Sequence, residues 1–451
     1  MIPTDPAYVS HSQCLICLGL VLTVAIVSYA DDADAPPPPY EPTWESLKQH
    51  ETPQWFMDAK LGLFIYPPEP TAEQWAATGE RGGAPKPEES WDSFDWDPES
   101  YAQLAVDMGA RYVVFNPDPR SLFSTWPSKY DDIEGSPFHY VQGPGHEKKD
   151  YVGELAAAVR ARGLKFGFHV NCLESEAWPL WLDRTKELID RYRPDDLRLD
   201  EHKLSFPAER LRSLELLAYF YNRAEDPAQV AMEDSLGSHK QRTWGKALEE
   251  VGDFYRKEMS PPHDDISDGY FMRYEAMYRW RHRSPVNESA GLVNNLVEWL
   301  VDAVSKNGNL DIAIHPGPRE LYRFEQRTLR QIGMWLQVNG EAIYATRPWR
   351  DGKPQSETTS GIHVRYTTKG ESLYVILFKW PQGKPVLPNL RAVEGTKVRM
   401  LGVKADIPWG QTDHGLQLNL PPATHHTGYE TEIPCDHAFV YKITPRPEWI
   451  P

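Results

Sequence analysis

Asp150-Tyr-Val-Gly-Glu-Leu-Ala-Ala-Ala-Val-Arg-Ala-Arg-Gly-Leu-Lys-Phe-Gly-Phe-His-Val-Asn171 is one complete helix-to-strand unit. Val152, Leu155, Ala156 and Val159 return at helical spacing, which puts one apolar face on a helix from about Asp150 to Arg162. Gly163 stops that helix, and Leu164–Asn171 reads as the strand that follows. The unit repeats on either side. Asp97 and Pro98 open a helix as N-cap and first residue. Tyr101, Leu104, Ala105 and Met108 hold its inner face, Gly109 ends it, and Arg111–Asn116 is the next strand. Leu61–Tyr66 precedes it as an apolar strand. Downstream, Leu182–Tyr192 is helical, Pro194 halts it, and Leu197–Asp200 is a short strand. A helix lined by Leu292, Leu296, Trp299, Leu300 and Val304 closes at Asn307-Gly308. Strand Leu310–Ile314 and helix Phe324–Val338 complete the series.

Strand–helix units in series imply a parallel sheet with right-handed crossovers. Their number over residues 44–348 predicts an α/β fold, a TIM-like (β/α)8-type barrel. After Trp349 the texture changes. Gly361–Tyr366, Ser372–Lys379, Lys397–Gly402, Gly415–Leu420 and Ala438–Lys442 are short β runs parted by Gly, Pro and Asp. They predict an antiparallel β-sandwich over residues 349–451. Between Glu201 and Pro285 the pattern is least regular, with a charged helix-like stretch at Ala208–Ala224 and a Tyr/Arg-rich run at Tyr270–His282. Insertions of that kind after barrel strands shape the active-site face.

At the amino end, Cys14–Val27 is an apolar run too short for a confident membrane span, with Ser28 and Ala30 placed for a cut after Ala30. Residues 1–30 read as a signal peptide and 31–43 as an acidic, Pro-rich linker, so export is expected and no stable membrane span, with retention of the segment as an anchor the alternative. Cys14 and Cys17 belong to that leader. Cys172 and Cys435 remain, too few for a disulfide framework or a Cys-rich metal site, and whether they pair stays open. The formal net charge of −17 repels phosphate backbones, so nucleic acid is excluded as a partner. The 16 Trp and 22 Tyr suit sugar stacking and core packing alike. No His-Glu-x-x-His zinc motif, Gly-x-Ser-x-Gly elbow or dinucleotide fingerprint occurs, and neither metal nor cofactor is expected.

A parallel barrel draws its chemistry from the carboxyl ends of its strands. The candidates there are Tyr66, Asn116 with Asp118 and Arg120, His169 with Asn171, Asp200 with Glu201, and His315. Asp200 ends an alternating strand and faces the mouth in that reading; a helix cap or a partner for Arg198 is the structural alternative. Two carboxylates flanking a cleft are the minimal kit for glycoside hydrolysis. Glu275 stands in the right region for the second, with a surface helix charge as its alternative.

Several segments together resemble the α-L-fucosidases of glycoside hydrolase family 29. They are Trp55–Ile65, Gly109–Val114 with Trp126-Pro127-Ser128-Lys129-Tyr130, Leu155–Gly167 and Arg191–Asp195. Val304–Leu310 and Val338–Tyr344 are the most specific matches. The resemblance runs from about residue 44 to the carboxyl end with a gap at 201–270, and implies a barrel followed by a β-sandwich. It further implies a retaining exo-glycosidase acting on a glycan, with Asp200 as nucleophile and Glu275 as acid/base. Tyr66, Arg120, Trp126, His169 and Arg198 are the expected substrate-binding residues.

The chain departs from the family's pattern at the site. Where the family reads Phe-Ile-His-Trp-Gly, this chain reads Phe64-Ile65-Tyr66-Pro67-Pro68. Where it reads Lys-His-His-Asp-Gly-Phe, here stands Asp118-Pro119-Arg120-Ser121-Leu122-Phe123. Arg120, Arg198 and Arg273 suggest an anionic glycone, sulfated or a uronate, because arginine pairs with such groups through two N–H donors. Equally, these arginines are ordinary ion-pair partners. A catalytically degenerate sugar-binding protein on the same scaffold is the alternative function.

Overall fold

Eight strands form one parallel sheet. They are β1 (Leu61–Ile65), β2 (Tyr112–Phe115), β3 (Lys165–Val170) and β4 (Asp196–Leu199). Then come β5 (Ala231–Met232), β6 (Tyr255–Glu258), β7 (Phe271–Ala276) and β8 (Gly308–Ile314). Hydrogen-bonded neighbours follow chain order from β1 to β5 and from β6 to β8, and β8 returns to β1. A parallel bridge between Glu233 and Phe254 joins β5 to β6 and closes the ring. The barrel expected from the sequence is the fold. This computed structural model describes residues 39–67, 96–117, 123–131, 139–140, 149–170, 178–199, 212–233, 252–258, 265–277, 291–314, 321, 323–381, 383–419 and 435–450. The leader, most of the linker, Arg120, Asn171, Cys172, Asp200 and His315 lie outside them.

Helices α1 (Pro98–Asp107), α2 (Tyr151–Ala161), α3 (Trp178–Tyr192) and α4 (Ser213–Arg223) precede β2 to β5 in turn. Helix α5 (Gly291–Ser305) precedes β8 and α6 (Arg323–Asn339) follows it. Their starts obey local chemistry. The Asp97 carboxylate accepts from the Ser100 N–H at 3.1 Å and Asp150 from the Gly153 N–H at 2.8 Å, each an N-cap. Gly333 on α6 is a packing glycine: a Cβ there would lie 1.8 Å from the Asp107 carbonyl of α1.

The unassigned stretch between Glu201 and Pro285 supplies three barrel strands, β5 to β7, and Phe271–Ala276 of the Tyr270–His282 run is the last of them. Side chains alternate around the ring. Leu61, Leu63, Ile65, Leu197 and Leu199 pack outward with the helices. Phe64, Tyr112, Ala231, Phe254, Tyr274 and Ala313 pack inward. Gly62 lies under this inner layer because a Cβ there would come within 2.2 Å of the Tyr112 ring.

The carboxyl-terminal part is antiparallel. Strands Arg347–Pro348, β9 (His363–Lys369), β10 (Ser372–Leu377), β12 (Phe439–Thr444) and β11 (Lys397–Met400) lie side by side in that order. Tyr374 and Ile376 of β10 face the barrel helices, while Leu373, Val375 and Leu377 face the second β layer. Strand β10 is therefore apolar on both faces, which explains its unbroken Leu-Tyr-Val-Ile-Leu run. The Trp335 indole N–H donates to the Ala438 carbonyl at 2.9 Å, and Arg365 pairs with Asp302 at 2.6 Å, tying this sheet to α6 and α5. No helix among the described residues is long and apolar enough to cross a membrane.

The chain enters the barrel through a buried histidine. His50 Nδ1 lies 2.8 Å from Asp253 Oδ1 and Nε2 lies 2.8 Å from the Pro227 carbonyl, with the ring stacked on Tyr221 at 3.9 Å. Two acceptors call for two N–H donors, which is the imidazolium. Burial pulls the His50 pKa down, but the Asp253 carboxylate and the Pro227 carbonyl outweigh it and the net shift is upward. Burial also raises the Asp253 carboxyl. A raised histidine stabilises fully below its unfolded pKa of about 6.5 and loses that contribution as pH rises through the folded value. His50→Gln is therefore expected to cost most thermal stability near pH 6, with the gap to wild type narrowing by about pH 9. Melting midpoints across that window test it, and a gap independent of pH would sink the assignment.

Candidate active site

The barrel floor carries a charged cluster rather than an apolar plug. Arg198, fully buried, donates from Nε at 2.9 Å and from Nη2 at 2.6 Å to Asp196 Oδ2. Its Nη1 pairs with Asp311, which also accepts from the Tyr112 hydroxyl. The guanidinium lies over the Phe254 ring at 5.3 Å. Asp196, Arg198 and Asp311 thus cross the barrel from β4 to β8. Arg198, expected from sequence to bind substrate, is engaged by two carboxylates below the mouth.

Above the cluster, Phe64 gathers the mouth. Tyr66, His169 and Tyr274 stand 4.8, 5.3 and 5.4 Å from it, centroid to centroid. The Tyr274 hydroxyl donates to the Tyr66 hydroxyl at 3.0 Å. Tyr66 and His169, expected at the mouth from sequence, each pack against Phe64. Below them, facing inward from β6 and from the residue after β5, Arg256 Nε lies 3.0 Å from Glu233 Oε1, beside the Asp196–Arg198 cluster. Asp200 follows the last described residue of β4, and it lies with Arg120 outside the described residues.

Trp126 and Glu275, expected at the site from sequence, are both engaged by other side chains of the protein. Trp126 is fully buried among the residues packed by the barrel helices, with the Arg184 guanidinium over its ring at 4.6 Å and its N–H directed to Glu187 at 3.4 Å. Both its face and its polar edge are taken by the protein, so it does not line the mouth. Glu275 sits on β7, not on a surface helix, and on the outer face of the barrel. Tyr274 points inward, its neighbour therefore outward, and Glu275 is level with the outward Ile312 of β8. Its carboxylate accepts from Arg273 Nε at 2.6 Å, and that guanidinium covers Trp299 of α5 at 4.9 Å. Burial raises the Glu275 carboxyl, against the pull of Arg273. A raised carboxyl suits a proton donor, but geometry comes first, and the burial arises in the strand–helix layer. The same pairing withdraws Arg273 from substrate.

Sequence reasoning missed Glu233 and Arg256. Val230-Ala231-Met232 is too short a run to register as a strand, although the acidic Glu233-Asp234 after it is the mark of a strand end.

A closed parallel barrel with a polar mouth at its carboxyl end is the architecture of (β/α)8 enzymes. Comparison of sequences makes this specific. The α-L-fucosidase family model matches residues 27–67 and 72–341, and that of the α-L-fucosidase C-terminal domain matches 355–444. The chain belongs to the α-L-fucosidase family of glycoside hydrolases. Tissue α-L-fucosidase of Bos taurus is 29% identical over 497 residues, covering 97% of this chain and 99% of that one. The Homo sapiens tissue enzyme is 29% identical over 484 residues, with 94% and 97% covered. The crystal structure of Thermotoga maritima α-fucosidase superposes with a TM-score of 0.70 at 23% identity, over 89% of this chain and 99% of that one. At that identity the likeness speaks for the fold.

Proposed function

We propose that the chain is an exported, retaining exo-glycosidase that removes terminal α-L-fucosyl residues from glycans. The observation that carries this is a family match running through barrel and carboxyl-terminal domain alike. Asp200, one residue beyond β4, is the nucleophile that attacks the anomeric carbon. The proton donor is a carboxylate other than Glu275, whose oxygens turn to the helices. A neutral glycone is the reading we adopt, since Arg198 and Arg273, two of the three arginines that favoured an anionic one, are held by their own carboxylates. Export rests on the apolar run Cys14–Val27 ahead of Ser28 and Ala30.

A binding-only protein is the second reading, favoured by Tyr66-Pro67-Pro68 at the end of β1, where the family carries His-Trp-Gly. Release of the aryl group from an aryl α-L-fucoside separates the two. Turnover supports the enzyme. Saturable binding of L-fucose without turnover supports the second reading, and neither result with any fucoside would defeat both. Sequencing the secreted protein should find Asp31 as its first residue; an intact leader would remove export from the proposal.

A further inference from the structure

We propose that Tyr274 is a positioning residue for the sugar site, its buried hydroxyl donating to Tyr66 so that the Tyr66 O–H is aimed at a hydroxyl oxygen of a sugar in the barrel mouth. This rests on the glycosidase reading above. Tyr66 is among the substrate-binding residues expected from the sequence, and Tyr274 is not. Tyr66 is the first residue beyond β1, at the end where barrels do their chemistry, and its N–H donates to the Ile314 carbonyl at 3.1 Å. Phe64 faces the barrel axis, so Tyr66, two residues on, faces it too. Tyr66 is half-buried there, whereas Tyr274 on β7 is buried.

Strands β1 and β7 are not neighbours, because β8 lies between them. The contact is made across Ala313, the inward residue of β8 level with Phe64 and with Ala276. A small side chain at that point lets Phe64 and Tyr274 meet edge to face, at 5.4 Å and 86°. The Phe64 ring in turn packs on Tyr66 at 4.8 Å. Both phenol rings are thus held by packing, and their hydroxyls meet at 3.0 Å with Tyr274 as donor. A phenol both accepts and donates. Accepting from Tyr274 fixes the rotor of the Tyr66 hydroxyl, whose own proton then points away from Tyr274. Hydrogen bonds in series polarise one another, so the same contact makes the Tyr66 O–H a better donor. Sugar hydroxyls are the acceptors that the glycosidase reading brings to the mouth. Tyr274, buried behind, reaches the sugar only through Tyr66.

A buried tyrosine hydroxyl needs a partner for stability alone, so the test must separate that role from positioning. Tyr66→Phe, Tyr274→Phe and the double variant each remove hydroxyls and keep the rings. Calorimetric titration of the full proteins with L-fucose and its 2-, 3- and 4-deoxy analogues compares them. In wild type, one deoxy analogue should bind about tenfold more weakly than L-fucose. Tyr66→Phe should weaken L-fucose by a similar factor and abolish that penalty. Tyr274→Phe should weaken L-fucose about two- to fivefold, shrink the same penalty, and have no further effect in the Tyr66→Phe background. Undiminished affinity in Tyr274→Phe overturns the role, even where its melting midpoint falls, because that is how a purely structural hydroxyl behaves. So does a loss that persists in full in the Tyr66→Phe background. Tyr66→Phe with the affinity and penalties of wild type overturns it as well. If wild type binds L-rhamnose, D-galactose or D-glucuronate in place of L-fucose, the fucosyl reading fails, and Tyr274 is judged by the same comparison on that sugar. Binding of none of the four defeats the glycosidase reading and the proposal with it. Should a variant not fold, crystals of wild type soaked with the bound sugar decide. A sugar hydroxyl on the Tyr66 oxygen, with the Tyr274 contact kept, supports the role, and a sugar seated away from Tyr66 overturns it.

Discussion

Arg198→Met should lower the stability of the unit from Pro39 to Pro451 by about 3–5 kcal/mol. The substitution removes a guanidinium with no exposed surface and leaves Asp196 and Asp311 facing each other across the barrel. Removing one member of a buried ion cluster costs far more than the cluster contributes, because the partners stay charged and dry. The pH dependence follows. Burial pushes the Asp196 carboxyl up to about 7, against the pull of Arg198. A raised carboxyl means that the folded state binds its proton more tightly than the unfolded chain does. Stability from this group therefore grows as pH falls below that value and is lost as pH rises through it. Without Arg198 the burden on Asp196 is heavier, so the deficit should be largest at neutral and alkaline pH and shrink on acidification. Replacing all three groups at once (Asp196→Leu, Arg198→Met, Asp311→Leu) should recover most of the loss, since a packed apolar core tolerates the absence of the whole cluster. Urea unfolding followed by tryptophan fluorescence reads the difference. A loss below about 1 kcal/mol for Arg198→Met would mean that water reaches the cluster.

That cluster also marks where sequence reading stopped. Helical spacing, N-caps at Asp97 and Asp150 and glycine stops at Gly109 and Gly163 made the helix-to-strand units legible, because each is a local signal. The ends of β1 and β3 are legible too, at Ile65 and Val170, beside Tyr66 and His169. Strands β6 and β7 were not, since their hydrophobic alternation is broken by charge. Arg256 faces inward to Glu233, and Arg273 and Glu275 neutralise each other on the outer face. Periodicity records polarity and is blind to pairing. Spacing alone could set Arg198 on the face of Asp196. It could not know that Asp311, 113 residues later, would close the other side. The surroundings of Trp126 are hidden for the same reason, because Arg184 and Glu187 come from α3, far along the chain.

Asp200→Asn and Glu275→Gln should part company. The first is expected to reduce hydrolysis of an aryl α-L-fucoside at least about a thousandfold, because a retaining mechanism has no route around its nucleophile. An amide is nearly isosteric with the carboxylate, so binding of L-fucose should survive the change. The loss then falls on kcat and leaves KM within a few fold. Glu275→Gln should leave kcat/KM within about tenfold of wild type and the alkaline limb of the pH profile in place. Its carboxylate bonds Arg273 in the layer beneath α5, so the cost should appear in stability instead, as a guanidinium left without its buried partner. The contrast is informative in both directions. Asp200→Asn with undiminished turnover would remove the nucleophile from the strand that leads out of the Asp196–Arg198 cluster. Glu275→Gln that loses its alkaline limb, and regains turnover with added azide, would return Glu275 to the acid/base role and require β7 to present its outer face to substrate. With Tyr274 inward, bonded to Tyr66 and packed on Phe64, that rotation would dismantle the mouth itself.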